Sequence, residues 1–442
     1  MKGPDSFFCG GRGICLATLL LFTSCATHRP VTFTTPQPDL ENNTRREQEF
    51  LAFDPHYKEE KAQRVAKMRL LYKQVQDREA AGQKTACSKQ ILWELKARVM
   101  QTADFKAMDQ RLADLEASLA HPELEGDALE QSPEDGSWGR CYVPWWCKLD
   151  ASTDELGKEA NKKSLLKFPT RFLDAVNSPE KLENYLMSVS VSDIARTGVD
   201  NLGEFNLSTS NLMRLILRDR PKGYPWDPQL KVVIMNLVLN KFRNPATGYW
   251  GERYVRDGRL QFVDDLSMTF HIVTYLHGNV SDLRTAVATT LAVKDLDFPV
   301  GWLFKGQYWN HNNMDVVAIF KAGWPQATPA QQKAMAVEIE KMLQWCLTES
   351  LQPDGSFKPH IGDGSLEEGL GYGTSFLARI GYFDKSERFW TDREFPEAEG
   401  VRQKIIAYVR KHRDSGGSGG AYYESVLAED LHYDANAGAG SK

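Results

Sequence analysis

The chain reads as an all-α protein: a helical hairpin arm, then a larger body in which mostly apolar helices form an inner ring inside an outer ring of polar-faced helices. Three observations predict this. Leu95, Val99, Thr102, Phe105, Met108, Leu112, Leu115 and Leu119 follow one another at steps of three or four, the period of one helix face. The body then repeats a unit made of a helix, a loop rich in Gly, Pro and aromatics, and a more apolar helix. Residues 229–242 lead through Asn244-Pro245-Ala246-Thr247-Gly248-Tyr249-Trp250-Gly251 into a helix near Asp264-Asp265, and 330–350 lead through Gln352-Pro353-Asp354-Gly355-Ser356-Phe357 into a helix over 367–380. A helix apolar around most of its girth must be buried on several sides, so alternation of the two kinds implies two concentric layers.

Residues 1–24 read as an export signal removed before folding: basic Lys2 and Arg12, an apolar stretch over 14–22, then Thr23-Ser24-Cys25. The stretch is too short to span a bilayer. A small residue ahead of a cysteine at that place resembles the lipobox of bacterial lipoproteins, with Phe22 where Leu is usual. The resemblance implies that Cys25 is acylated and that the chain is held to a membrane in the cell envelope through this lipid.

Residues 25–43 are Thr- and Pro-rich, as a tether should be. Residues 44–120 form the arm, either a partner-binding coil or a helical pair packed on the body. The stretch 121–157 reads as an acidic linker ending in an aromatic loop, where Cys141 and Cys147 flank Tyr142-Val143-Pro144-Trp145-Trp146. In an exported chain this spacing predicts a local disulfide, with two reduced thiols as the alternative. The body spans 158–413, with weaker copies of its unit at 180–217 and 283–320, and the Gly-rich 414–442 is a flexible tail.

Lys and Arg number 54 against 59 Asp and Glu, a net charge of −5 with the signs interspersed. No basic patch follows from this, and no nucleic-acid partner is expected. No motif for a serine hydrolase, zinc protease or nucleotide site occurs, and neither metal nor cofactor is expected. In Gly369-Leu370-Gly371-Tyr372-Gly373 the strand and lysine of a phosphate loop are missing, so these glycines are read as allowing close helix packing.

A Pro, a Gly two or three residues on, and an aromatic ahead of an inner helix resemble the repeats of the α/α-toroid proteins. These include terpenoid cyclases, protein prenyltransferases and several polysaccharide lyases and glycoside hydrolases. The resemblance is architectural, covers about 179–411, and yields four hairpins and a last helix where a full toroid has six hairpins. It implies that loops entering the inner helices crowd one mouth, beside helix N-termini.

Three clusters fall in such loops. The first holds Tyr249, Trp250 and Arg253, then Asp264, Asp265 and His271, where the paired carboxylates are either a helix cap or catalytic. The second is Tyr308-Trp309-Asn310-His311-Asn312-Asn313, with Asp315 after it, more polar than one cap needs. The third has Glu367, Glu368, Tyr372 and Arg379. Aromatic faces beside such polar groups suit sugars, so a polysaccharide is the expected partner. A lyase acting on uronic-acid units needs a donor for the carboxylate and a His or Tyr for the C5 proton. Asn310, His311, Asn312 and Tyr372, with Arg253 or Arg379, fit and are similar in type to the sets of toroidal lyases, though not in spacing. A hydrolase would oppose Asp264 or Asp265 to Glu367 or Glu368. A glycan-binding or scaffolding lipoprotein is the third reading. Tyr249, Trp250, Arg253, Tyr308, Trp309, His271 and Arg379 are expected to hold substrate.

Overall fold

A computed structural model describes residues 42–126, 130–161, 166–218, 224–359, 366–413 and 426–431. Cys25, the signal, most of the tether and most of the tail lie outside the described residues.

The N-terminal helices are α1 (Asn42–Phe53), α2 (Tyr57–Ala80), α3 (Ala86–Gln101) and α4 (Phe105–Ala120). Asp104 starts α4 by accepting the Ala107 N–H at 3.2 Å, an N-cap. The predicted apolar stripe is the inside of this group: Leu95, Met108, Leu112 and Leu115 are at most 1% exposed, and α2, α3 and α4 pack on one another around them. The stripe is thus internal to the arm, buried where α2, α3 and α4 meet.

The body continues with α5 (Trp145–Asn161), α6 (Pro179–Val189), α7 (Ile194–Thr197), α8 (Leu202–Leu217), α9 (Leu230–Asn236), α10 (Leu266–Tyr275), α11 (Leu283–Ala292), α12 (Asn310–Gly323), α13 (Pro329–Trp345), α14 (Leu366–Arg379) and α15 (Ala398–Arg413). Proline at the first turn of α6 and α13 sits where its missing N–H costs nothing. The capping box of Thr328 and Gln331 fixes the start of α13.

Helices α5, α8, α10, α12 and α14 stand side by side in chain order, with 426–430 against α14. Helix α6 lies against α9 and α11 against α13 as a second layer. Residues 145–161, mostly within the stretch read as a linker, are therefore a helix and the first member of this row.

The two strong repeats share a physical device. Gly248 and Gly355 both have positive φ (73° and 93°), which favours glycine. A Cβ on Gly248 would meet the backbone N of Ala286 in α11 at 2.8 Å, and one on Gly355 would clash with the Lys404 carbonyl of α15. Each turn thus seats against a helix that follows it, α11 for the first and α15 for the second.

Beyond the all-α expectation lies a three-stranded sheet, β1 (Val191–Ser192), β2 (Arg253–Arg256) and β3 (Arg259–Phe262), with β1–β2 parallel and β2–β3 antiparallel. Asp257 and Gly258 both have positive φ (51° and 68°), the conformation of a tight primed hairpin turn. Among the described residues no helix is long and apolar enough to cross a membrane.

The expected Cys141–Cys147 bridge is not formed. Cys141 pairs with Cys87 of α3, with Cα atoms 5.3 Å apart, and Cys147 is a buried free thiol. Pro144 lies just ahead of α5, and Cys147 in the first turn of that helix faces the core instead of the loop. Burial raises its pKa, Glu94 and Asp150 adding to the effect, so it is an unreactive thiol. Peptide mapping without reductant should recover residues 87 and 141 cross-linked, with Cys147 alkylated only in denaturant. A fragment linking 141 to 147 would reject this pairing.

Candidate functional site

The candidate site is assembled around the starts of α10 and α12. Asp265 begins α10, its carboxylate accepting the Met268 N–H at 2.9 Å and the Asn206 amide of α8 at 3.1 Å. Its neighbour Asp264 takes Asn244 Nδ2 at 3.0 Å and Thr247 Oγ1 at 2.8 Å, both from the preceding turn. The adjacent carboxylates are thus divided: Asp264 pins the repeat turn, and Asp265 caps a helix and faces a cavity.

Trp309 precedes α12 without a side-chain cap, so Asn312 and Asn313 lie inside the helix and do not cap it. Eleven of the fourteen residues of α12 are buried, among them Asn310, Asn312, Asn313 and Asp315. Asn310 gives its amide to Ser350 Oγ and Asn312 gives its amide to the Trp302 carbonyl, each at 2.8 Å. Among the described residues, neither side-chain atom of Asn313 and neither carboxyl oxygen of Asp315 has a hydrogen-bond partner. A buried polar group left unpaired costs roughly 1–3 kcal/mol, so this cluster is a place for water or a polar ligand.

The second and third clusters meet here. The Tyr372 ring of α14 stacks on the His311 ring at 4.2 Å and 18°. Trp309 stands edge-on to His311 at 4.7 Å, and Phe304 is edge-on to Trp309 at 5.6 Å. Asp315 lies one turn below His311, with 3.9 Å between Oδ2 and Nε2, beyond a hydrogen bond. Burial raises the Asp315 carboxyl well above its ordinary pKa, Arg379 opposing and Asp265 adding to the effect. Asp315 is thus kept toward its neutral form beneath the ring pair.

Arg379, at the end of α14, lies over Phe270 at 5.5 Å and is in turn lowered by burial, against the attraction of Asp430 and Asp315. His271 is half-buried beside Phe270 and Tyr275, and burial with Arg214 and Arg379 nearby pushes its pKa down to about 4. It is therefore neutral at ordinary pH. Members of all three clusters thus interact along one polar seam of α8, α10, α12 and α14.

Two cavities lie at the Phe304 end of this run of rings. One of about 520 Å³ has Asn206 and Asp265 in its wall together with residues of α1 and α2. The other, about 130 Å³, is lined by Tyr308, Trp309, Asn310 and Trp345. Phe304 borders both.

Several expected substrate contacts are elsewhere. Tyr249 and Trp250 are fully buried, giving their polar hydrogens to Thr290 Oγ1 at 2.9 Å and to the Val238 carbonyl at 2.7 Å. They are wedges between helices. Arg253 on β2 covers the Phe262 ring at 4.5 Å and donates to the Lys241 carbonyl. Glu367 and Glu368 fall in the first turn of α14, and their side chains lie outside the described ones.

Sequence reasoning missed Asn206, and left Asp315 out of the chemistry. The run Ser208-Thr209-Ser210-Asn211 inside an otherwise apolar helix was the available signal for α8. Among the described residues no group of three or more His, Cys, Asp and Glu side chains is arranged to hold a metal ion.

Burial raises Asp265 to about 6, hydrogen bonds from Met268 and Asn206 opposing the shift. The folded protein then keeps a proton at Asp265 that the unfolded chain loses near about pH 3.9. Between these values the folded state binds more protons, so stability falls as pH rises, by roughly 3 kcal/mol in all. Asp265→Asn keeps a capping oxygen and removes this dependence. In urea titrations it should gain on the wild type by about that amount between pH 4 and pH 7. A difference that stays constant with pH would reject a perturbed Asp265.

No family model, curated protein or solved structure matches the chain.

Proposed function

We propose that the chain is an exported, lipid-anchored polysaccharide lyase of α/α-toroid architecture, acting on a uronic-acid-containing glycan. The stacked His311–Tyr372 pair carries the reading: two groups able to move protons, joined on one side to a run of aromatic rings. The serial row of inner helices backed by α6, α9, α11 and α13 supports the toroid, as inner and outer layers alternate along the chain.

In the elimination, His311 takes the proton from C5 of the uronate, the C4–O4 bond breaks as C4=C5 forms, and Tyr372 protonates the departing O4. Acidifying C5 requires neutralisation of the uronate carboxylate. Asn310 and Asn312 have committed their amides to Ser350 and Trp302. Arg379 and Asn313 take this role, which brings the carboxylate into the polar seam between α12 and α14.

The hydrolase reading has one observation in its favour, the raised Asp265 at a cavity wall, the property of a general acid. Purified protein offered uronate-containing and neutral polysaccharides decides among the readings. A lyase yields ultraviolet absorbance from the conjugated product, and His311→Ala and Tyr372→Phe should each reduce it by about 10²-fold or more. Reducing ends without absorbance, lost in Asp265→Asn, would replace the lyase with a hydrolase. Retention on a polysaccharide column with neither signal would leave a binding protein.

The anchor is tested apart from the chemistry. When the whole chain is produced in a bacterium, labelled fatty acid should enter the protein, and Cys25→Ser should abolish labelling and release it from the membrane fraction. Unchanged labelling in that variant would reject acylation at Cys25.

A further inference from the structure

The 520 Å³ cavity lies within the range of about 300–1,000 Å³ usual for small-ligand sites, and the N-terminal helices supply much of its wall. Phe50, Tyr57 and Lys61 come from α1 and α2, facing Phe298 and Phe304 of the loop before α12. Its carboxylates are already engaged. Asp200 holds Arg46, with Oδ2 accepting from Nε at 2.9 Å. Glu47 pairs with Lys58 at 3.0 Å, and Asp265 is held by Asn206 and the α10 backbone.

Lys61 is the exception. Its Nζ donates to Tyr57 Oη at 3.0 Å and sits 5.1 Å from the centre of that ring, yet it makes no ion pair among the described residues. Burial lowers its pKa, the attraction of Glu47 only partly opposing. A cation partly withdrawn from water and lacking a carboxylate of its own is matched by an anionic ligand. The aromatic walls suit the apolar face of a pyranose, and Gln101 and Thr44 offer polar groups for hydroxyls.

We propose that this cavity is a sugar subsite that binds a uronate unit of the glycan, with the uronate carboxylate on Lys61 Nζ. The assignment rests on the reading of the chain as a uronate-glycan lyase. Phe304 borders this cavity and contacts Trp309, which contacts His311. A glycan reacting at the His311–Tyr372 pair therefore continues past Trp309 and Phe304 to Lys61, and the N-terminal helices become part of the binding surface.

Titration of the whole protein with D-glucuronate, D-galacturonate and D-glucose, followed calorimetrically, tests the site directly. At least one uronate should bind at least tenfold more tightly than glucose. Lys61→Ala should weaken it about tenfold, Lys61→Arg should retain most of the affinity, and added salt should weaken binding to the wild type and Lys61→Arg but not to Lys61→Ala. Thermal melts matching the wild type exclude a folding defect, and Lys61→Gln replaces Lys61→Ala if that variant melts early. Equal binding of uronates and glucose, no saturation, or unchanged uronate affinity in Lys61→Ala overturns the proposal. Lys61-dependent uronate binding in a protein without elimination activity leaves the subsite standing and removes the lyase. Elimination activity whose KM and uronate affinity ignore Lys61 does the reverse.

Discussion

Helix α12 has almost no surface open to water, and its neighbours are arranged by that condition. It is flanked by α10 and α14 and backed by α11, and Val316, Val317, Ile319 and Phe320 along it are wholly buried. Apolar burial on this scale is the main favourable term in folding. The same enclosure withdraws Asn310, Asn312, Asn313 and Asp315 from solvent at the helix start. The start of α12 therefore holds a buried polar cluster of groups that apolar packing alone would exclude. Sites that break the local rule in this way are where function is expected.

The repeat was legible in the sequence because backbone sterics produced it. A proline, a glycine of positive φ and an aromatic recur at 245–250 and 353–357 since each turn must pass close beneath a later helix, where a side chain on Gly248 or Gly355 would collide. Tyr249 and Trp250 were misjudged for a related reason. Aromatics next to polar loop residues look like a sugar platform, but here the turn folds them inward, and Thr290 and the Val238 carbonyl satisfy their polar hydrogens. Composition gives no measure of that direction. The hairpin at 253–262 did carry a signal, Asp257-Gly258 between short β-prone runs, but strands of four residues have too few alternations to stand out from the helices around them.

The site was legible as residue types and not as a constellation. Asn310, His311 and Tyr372 stood out because polar and aromatic residues crowd the starts of apolar helices. Their meeting depends on α12 and α14 packing side by side, and the participation of Asn206 depends on α8 reaching Asp265 across 59 residues of sequence. Cys87 and Cys141 are similarly joined over 54 residues, where a local pairing looked simpler. Long-range geometry of this kind leaves no periodic trace.

The attachment of α1 sets a last condition on the cavity. Arg46 of α1 meets Asp200, and Glu252 lies buried beside that pair, accepting Ser192 Oγ at 3.0 Å. Burial first, and then the charge of Asp200, raise Glu252 well above its ordinary pKa. Two ionised carboxylates facing one guanidinium would leave an uncompensated buried negative charge, far costlier than a neutral acid. Keeping Glu252 toward its neutral form leaves Asp200 and Arg46 balanced. Helix α1 is thus held by a neutral assembly of three groups separated by up to 206 positions in the sequence. Because α1 also carries Phe50 into the cavity wall, the balance that docks the N-terminal helices also shapes the pocket where Lys61 lies.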